Sequence, residues 1–234
     1  MRMLVSIFLL LTSLESQAAC AVLLHGLARS SSSMEKMEFS LEQDGYTVVN
    51  VDYPSTELPI EQLADQFIEP AVALCESADV VHFVTHSMGG ILLRQYLSTR
   101  EVPGLGRTVM LGPPNGGSEV VDVLGPVYGF EWFNGPAGVQ LTTDAESVPN
   151  QLGPANFDVG IVAGTASINL ILSLIIPEED DGKVSLERAK LEGMNDFISL
   201  PVSHPFLMKD PQVIEQVKQY LRTGRFLQNV STAK

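Results

Sequence analysis

The hexapeptide Thr85-His86-Ser87-Met88-Gly89-Gly90 carries the densest chemistry in this chain. It is entered from the apolar run 80–84 and leaves into the helix-prone run 91–97. A serine between a strand and a helix, with glycines close by, is the pattern of a nucleophile on a sharp turn. At such a turn the hydroxyl stands clear of the sheet, and glycine is needed where a Cβ would strike the backbone. The common form of the pattern is G-x-S-x-G, and here Thr85 stands at the first glycine position. The other role open to Ser87 is that of a cap for the helix that follows, because serine often precedes an apolar-periodic segment.

A nucleophile of this kind must be positioned by a sheet. Apolar runs recur at 20–24, 46–51, 80–84, 108–111, 159–162 and 197–200, with helical segments between them. That alternation implies an α/β fold with a mostly parallel sheet buried on both faces. Ser32-x-x-Glu35 reads as a capping box for a helix that runs toward Asp44 and stops at Gly45. Residues 60–76 place Leu63, Phe67, Ala71 and Leu74 on one face, with Pro70 as a point of kinking. Residues 211–221 close the chain as an amphipathic helix with Val213, Ile214, Val217 and Leu221 inward.

Between the fourth and fifth runs lies a Gly- and Pro-rich segment, 112–158, carrying Tyr128, Phe130, Trp132 and Phe133. Loops of this length inside a domain are usually functional or carry short elements of their own. The four aromatics either plug the insertion onto the core or line a substrate pocket, and the two roles are compatible. The apolar stretch 168–176 reads as a buried helix or as one wall of an acyl-binding groove.

The N-terminus has Arg2, an apolar run from residue 3 to 11, and a small-x-small pattern at Ser16-Gln17-Ala18. This reads as a secretory signal peptide over 1–18, followed by an exported domain over 19–234, periplasmic or secreted. At about a dozen apolar residues the run is short of the roughly twenty that a spanning helix needs, so no stable membrane span is expected in the mature chain. Lipidation of Cys20 is the alternative, although Gln17 stands where such a signal resembles Leu. Arg2 and Glu15 cancel, so the mature chain keeps the net charge of −14. Such a field repels phosphate backbones and anionic membrane surfaces, so nucleic acid is a poor candidate partner and none is expected. Cys20 and Cys75 are the two cysteines. Cys20 opens the first strand and Cys75 ends a helix just before the strand leading to Ser87, so neighbouring strands would bring both to one edge of the sheet. In an oxidising compartment an even count invites a disulfide, the alternative being two independent buried thiols.

Four stretches together resemble an α/β-hydrolase of the small bacterial lipase and esterase type. They are Leu24-His25-Gly26 after the first strand, the Ser87 turn, Asp181-Gly182-x-Val184 after the fifth strand, and His204 before the last helix. Gly112-Pro113-Pro114-Asn115-x-Gly117-Ser118 is similar to the Pro-rich loop after the next strand in bacterial lipases. The resemblance spans nearly all of residues 19–234 and implies a minimal six-stranded member, with 113–158 as a lid- or cap-like insertion. It also implies a chain order of serine, acid, histidine. His25 belongs to the His-Gly turn, His82 lies mid-strand and His86 adjoins Ser87, which leaves His204 as general base. Asp181 matches the family's acid, with Asp180 one residue out of register as runner-up. Backbone N–H groups of Leu27 and Met88 would form the oxyanion hole, supported by His25, Gly26, His86 and Gly89. The acidic run 178–181 lacks the spacing of a calcium loop, and neither cofactor nor metal is expected.

The reading is therefore an exported serine hydrolase that cleaves lipophilic carboxylic esters through an acyl-enzyme. The same three residues would serve an acyltransferase or thioesterase, and Thr85 at a glycine position leaves room for a non-catalytic binding protein on a hydrolase fold.

Overall fold

The computed structural model describes residues 18–168, 176 and 179–228. The expected leader therefore lies outside the described residues except for Ala18, as does 169–175 of the apolar stretch.

Six strands form one sheet: β1 (Ala19–Leu24), β2 (Thr47–Val51), β3 (Val80–His86), β4 (Leu105–Leu111), β5 (Val159–Gly164) and β6 (Asp196–Leu200). Their order is β2-β1-β3-β4-β5-β6, and every pairing is parallel. The central strands read as unbroken apolar runs because helices cover both faces, and all six residues of β5 are buried. The chain leaves β1 for β2 on one side and returns to β3 on the other. That reversal opens a crevice beyond the carboxyl ends of β1 and β3, where α/β proteins place their ligands. Leu24 pairs with Thr85, His86 with Leu111 and Leu111 with Val162, so the loops leaving these strands emerge at one rim.

On one face α1 (Glu35–Gln43) packs with the C-terminal helix; Met37 and Leu41 join Val213, Val217 and Tyr220 over Leu23, Val84 and Val162. The opposite face is covered by α2 (Ile60–Ala73) and α3 (Met88–Leu97). The insertion between β4 and β5 contributes α4 (Glu119–Leu124), α5 (Phe130–Val139) and α6 (Val148–Gln151). After β5 come α7 (Leu186–Ala189), β6 and α8 (Pro211–Thr223). Asp210 caps α8 by accepting the N–H groups of Gln212 and Val213, with Pro211 at the first helical position.

Two local expectations are corrected. Ser32 and Glu35 form no capping box: residues Ser31–Met34 make a 3-10 turn, α1 starts at Glu35, and the Ser33 hydroxyl donates to the Ser30 carbonyl. Leu74 is not on the buried face of α2. That face is Ile60, Leu63, Ala64, Ile68 and Ala71, and Leu74 stands in solvent just past the helix end. The next inward position goes to Cys75, which is disulfide-bonded to Cys20. The bond ties the end of α2 to the start of β1, at the sheet edge opposite the crevice.

Candidate active site

Ser87 occupies the N-cap position of α3, yet its side chain makes no capping bond. Its φ and ψ are 53° and −124°, a costly conformation for a residue with a Cβ. The turn is held because the Ser87 N–H donates to Leu111 O at 2.9 Å and α3 presses against the end of β1. A Cβ on Gly89 would lie 2.6 Å from the carbonyl oxygens of both Leu24 and His25, so only glycine permits that approach. Thr85 is fully buried, and its Oγ1 lies 3.2 Å from where a Cβ on Gly90 would stand.

The hydroxyl of Ser87 meets His204: Oγ lies 3.0 Å from Nε2. The other ring nitrogen, Nδ1, donates to Asp181 Oδ2 at 2.7 Å. Asp181 and His204 are both buried. The second oxygen of Asp181, Oδ1, accepts the backbone N–H groups of Lys183 at 3.0 Å and Val184 at 2.9 Å, and the His204 N–H donates to the Asp181 carbonyl. With Nδ1–H committed to a carboxylate, Nε2 presents its lone pair to the serine hydroxyl, the tautomer a general base requires. Asp180 accepts the Gly182 N–H through Oδ1.

The other histidines have structural partners. His86 Nε2 lies 3.0 Å from the His204 carbonyl, which can only accept, so Nε2 carries the proton. Nδ1 of His86 is buried without a partner. Burial, reinforced by the neighbouring imidazole of His204, holds His86 well below the ordinary imidazole range. The ring thus props the loop of His204 as a neutral strut. His25 Nδ1 donates to Gly26 O at 2.9 Å, and its ring stacks on Tyr53 at 3.9 Å between centroids. Burial lowers its basicity too. In a planar trans peptide the C=O and N–H point opposite ways, so anchoring Gly26 O fixes the direction of the Leu27 N–H. Among the described residues, neither the Leu27 nor the Met88 N–H outside the sheet and helix ladders has a protein acceptor.

These groups border a cavity of about 410 Å³. Leu27, Val120, Val121, Leu124, Phe130 and Leu141 supply its apolar wall, and Ser87, Asp181 and His204 share the lining. Of the four aromatics singled out in the insertion, only Phe130 lines it. Tyr128, Trp132 and Phe133 point to solvent, with Trp132 packed edge-on against Phe133. Ile168 also borders the cavity.

Two features of the site escape a reading of sequence. Gly112, with φ 54°, lets β4 turn beneath the acid–imidazole pair: a Cβ there would lie 2.9 Å from Asp181 Oδ2 and 3.1 Å from His204 Nδ1. Arg94, on α3, is buried and carries the insertion without a carboxylate partner. Its guanidinium donates to Asn115 O and Oδ1, Pro149 O and Gly153 O. Gly112 falls within the Pro-rich loop noted above, but nothing local signals either contact. Gln140 completes the anchoring by accepting the Ile60 N–H at the start of α2. Among the described residues no group of three His, Cys, Asp or Glu could hold a metal ion, and no helix is long and apolar enough to cross a membrane.

A serine, an imidazole and a buried carboxylate joined at the carboxyl rim of a parallel sheet is the arrangement found in α/β-hydrolases. The Alpha/beta hydrolase family model matches residues 21–214, and the chain belongs to that family. No curated protein matches it in sequence. Among solved structures it is similar to the mature lipase BlEst2 of Bacillus licheniformis, at 17% identity and TM-score 0.68, over 90% of this chain and 93% of that one. It is also similar to the metagenomic carboxyl esterase MGS0156, at 18% identity and TM-score 0.65, over 81% of this chain and 65% of that one. A third likeness is phospholipase PlaB of Legionella pneumophila, at 14% identity and TM-score 0.60, over 74% of this chain and 46% of that one. At these identities the likeness is one of fold.

Proposed function

We propose that this chain is an exported serine hydrolase that cleaves carboxylic esters with lipophilic acyl groups through an acyl-enzyme. The observation that carries the reading is the unbroken line from Ser87 Oγ through the His204 ring to Asp181, at 3.0 and 2.7 Å. His204 Nε2 takes the Ser87 proton as Oγ bonds to the acyl carbon. The carbonyl oxygen becomes an oxyanion met by the N–H groups of Leu27 and Met88, and Asp181 balances the imidazolium. Collapse expels the alcohol, which leaves with the proton from Nε2. Water, deprotonated by the same nitrogen, then attacks the acyl-enzyme and releases the acid and free Ser87.

The apolar wall of the cavity supports an acyl group as its occupant, and the insertion that supplies Val120, Leu124 and Phe130 would act as its cap. The lipase and esterase neighbours point the same way. Thr85, the residue that left room for a dead site, fits over Gly90 without disturbing the turn, which favours a live nucleophile. Export is supported by the Cys20–Cys75 disulfide, and a Cys20 thiol committed to that bond is not free for lipidation.

The test is a fluorophosphonate probe followed by peptide mapping, alongside hydrolysis of p-nitrophenyl esters of graded chain length. Labelling at Ser87 and loss of both activities in Ser87→Ala are expected. Full esterase activity in Ser87→Ala, or no labelling of folded protein, overturns the reading.

A further inference from the structure

We propose that Arg29 and Lys183 form an anion subsite at the catalytic cavity, so that the preferred ester carries a phosphate or carboxylate on its alcohol part. The inference rests on the ester-hydrolase reading and narrows it to a substrate class.

Both side chains line the cavity that contains Ser87, and they enter it from different loops. Arg29 follows Leu27 by two residues and Lys183 follows Asp181 by two. An anion held by them would therefore share one cavity with the nucleophile. The chain as a whole has 28 acidic and 14 basic residues, yet the sign is reversed at this opening. Among the described residues Asp181 is the one carboxylate in the lining, and it is spent on His204 and two amides.

The cations are uncommitted. Arg100, Arg107, Arg188, Lys190, Lys218 and Arg222 all sit in ion pairs. Among the described residues, the side chains of Arg29 and Lys183 make neither an ion pair nor a hydrogen bond, and both residues are exposed. Surrounding protein and the charge of Arg29 push the Lys183 ammonium below its ordinary value, with Asp181 pulling the other way. Two like charges that feel each other at one cavity, with the nearest carboxylate already bonded to His204, gain from an anion between them. The turn that delivers Arg29 passes through Ala28 at φ 53°, a left-handed conformation that costs a non-glycine residue energy and is typically retained where function needs it.

The two sides of the cavity divide the substrate. The insertion offers a mostly apolar wall without a charged group, Ser118 and Asn134 being its polar members, and this suits the acyl chain. The loops after β1 and before α7 offer the charges, which leaves the alcohol part to carry the anion.

The experiment has a binding arm and a kinetic arm. Calorimetry with octyl phosphate, the ether acid octyloxyacetate and the uncharged octyl glucoside reads the subsite without chemistry. The anionic probes should bind more tightly, and Arg29→Gln/Lys183→Gln should weaken them by about tenfold or more, as expected for hydrogen bonds to charged groups. Whichever of phosphate and carboxylate binds better names the natural head. The kinetic arm compares kcat/KM for butyryl glycerol 3-phosphate and uncharged monobutyrin. The ratio should exceed about ten in the parent protein, fall with added salt and collapse in the double variant. Arg29→Glu/Lys183→Glu should invert it in favour of butyrylcholine. Hydrolysis of both esters with a ratio near one overturns the anion subsite and leaves the hydrolase reading intact. Charge-dependent binding with no hydrolysis of any ester does the reverse. The salt dependence of the parent protein needs no variant, so misfolding of a double variant leaves the test standing.

Discussion

Thr85 Oγ1 lies 3.2 Å from the point where a Cβ on Gly90 would stand. A glycine five residues later thus makes room for the threonine that replaces glycine ahead of the nucleophile. Met110 Sδ and Pro113 Cβ, each at 3.3 Å from the same point, close the remaining space. Gly90→Ala should therefore cost about 1–3 kcal/mol from overpacking, offset in part by the better helix propensity of alanine. Thr85→Ala removes one of the three obstructing groups. In urea unfolding, Gly90→Ala should cost less in the Thr85→Ala background, and equal costs in both backgrounds would show that the two sites are independent.

Gly112 tests whether the acid–imidazole pair needs its close approach. A methyl group there must displace Leu207, whose Cδ1 would lie at 2.8 Å, as well as Asp181 and His204. The positive φ adds strain of its own. Displacement of the base by a fraction of an ångström to one ångström costs on the order of a hundredfold in rate. Gly112→Ala should lower kcat for p-nitrophenyl butyrate by about that factor with far-ultraviolet circular dichroism unchanged. A kcat within twofold of the parent would contradict the geometry.

Stability should fall in mild acid. Burial lowers the basicity of His25, His82 and His86 below the ordinary value of 6.5. Above about pH 6.5 both folded and unfolded chains hold these rings neutral, and folding loses nothing. Below it the unfolded chain takes up protons that the folded chain refuses, down to each folded pKa. Each ring then removes up to about 1.4 kcal/mol of stability per pH unit. Urea midpoints measured from pH 7.5 to 5.5 should shift downward. His82 accepts the Arg107 N–H at 2.8 Å and lies near the start of β3, at the end of that strand opposite the Ser87 turn, so His82→Gln should flatten the slope by one proton's worth. An identical slope in that variant would rule out its share.

Arg94 should behave as the anchor of the insertion. Burial lowers its guanidinium to about 10, still protonated at neutral pH, and four oxygens depend on it. Arg94→Met leaves those acceptors unpaired at a cost of about 2–4 kcal/mol, or roughly 5–10 °C in Tm for a chain of this size. Limited proteolysis should cut 112–158 faster in the variant. Parent-like protection of that segment would mean that the insertion is held by other contacts, such as the bond from Ser118 Oγ to Lys183 O.

The strands were legible because a parallel sheet buried on both faces leaves little but apolar residues in each, and all six runs named from sequence fall within or beside observed strands. Helix ends were less legible. Ser32-x-x-Glu35 has the spacing of a capping box, but a 3-10 turn intervened, and Leu74 has the period of a buried residue, but its helix stopped one residue short. Aromatic character also failed to report direction: Phe130 enters the cavity while Tyr128, Trp132 and Phe133 do not, because an insertion's orientation on the sheet is set by distant anchors.

By itself the sequence determined an α/β chain with the Ser87 turn, a candidate acid and a candidate base in fixed order. Those features are local, written in periodicity and in short runs of neighbours. Tertiary structure decided which carboxylate faces the imidazole, that Gly90 houses Thr85, that Gly112 lies beneath Asp181 and His204, and that Arg29 and Lys183 share an opening. Each of these joins side chains from separate loops, and their meeting is imposed by strand order and register, which no stretch of neighbouring residues encodes.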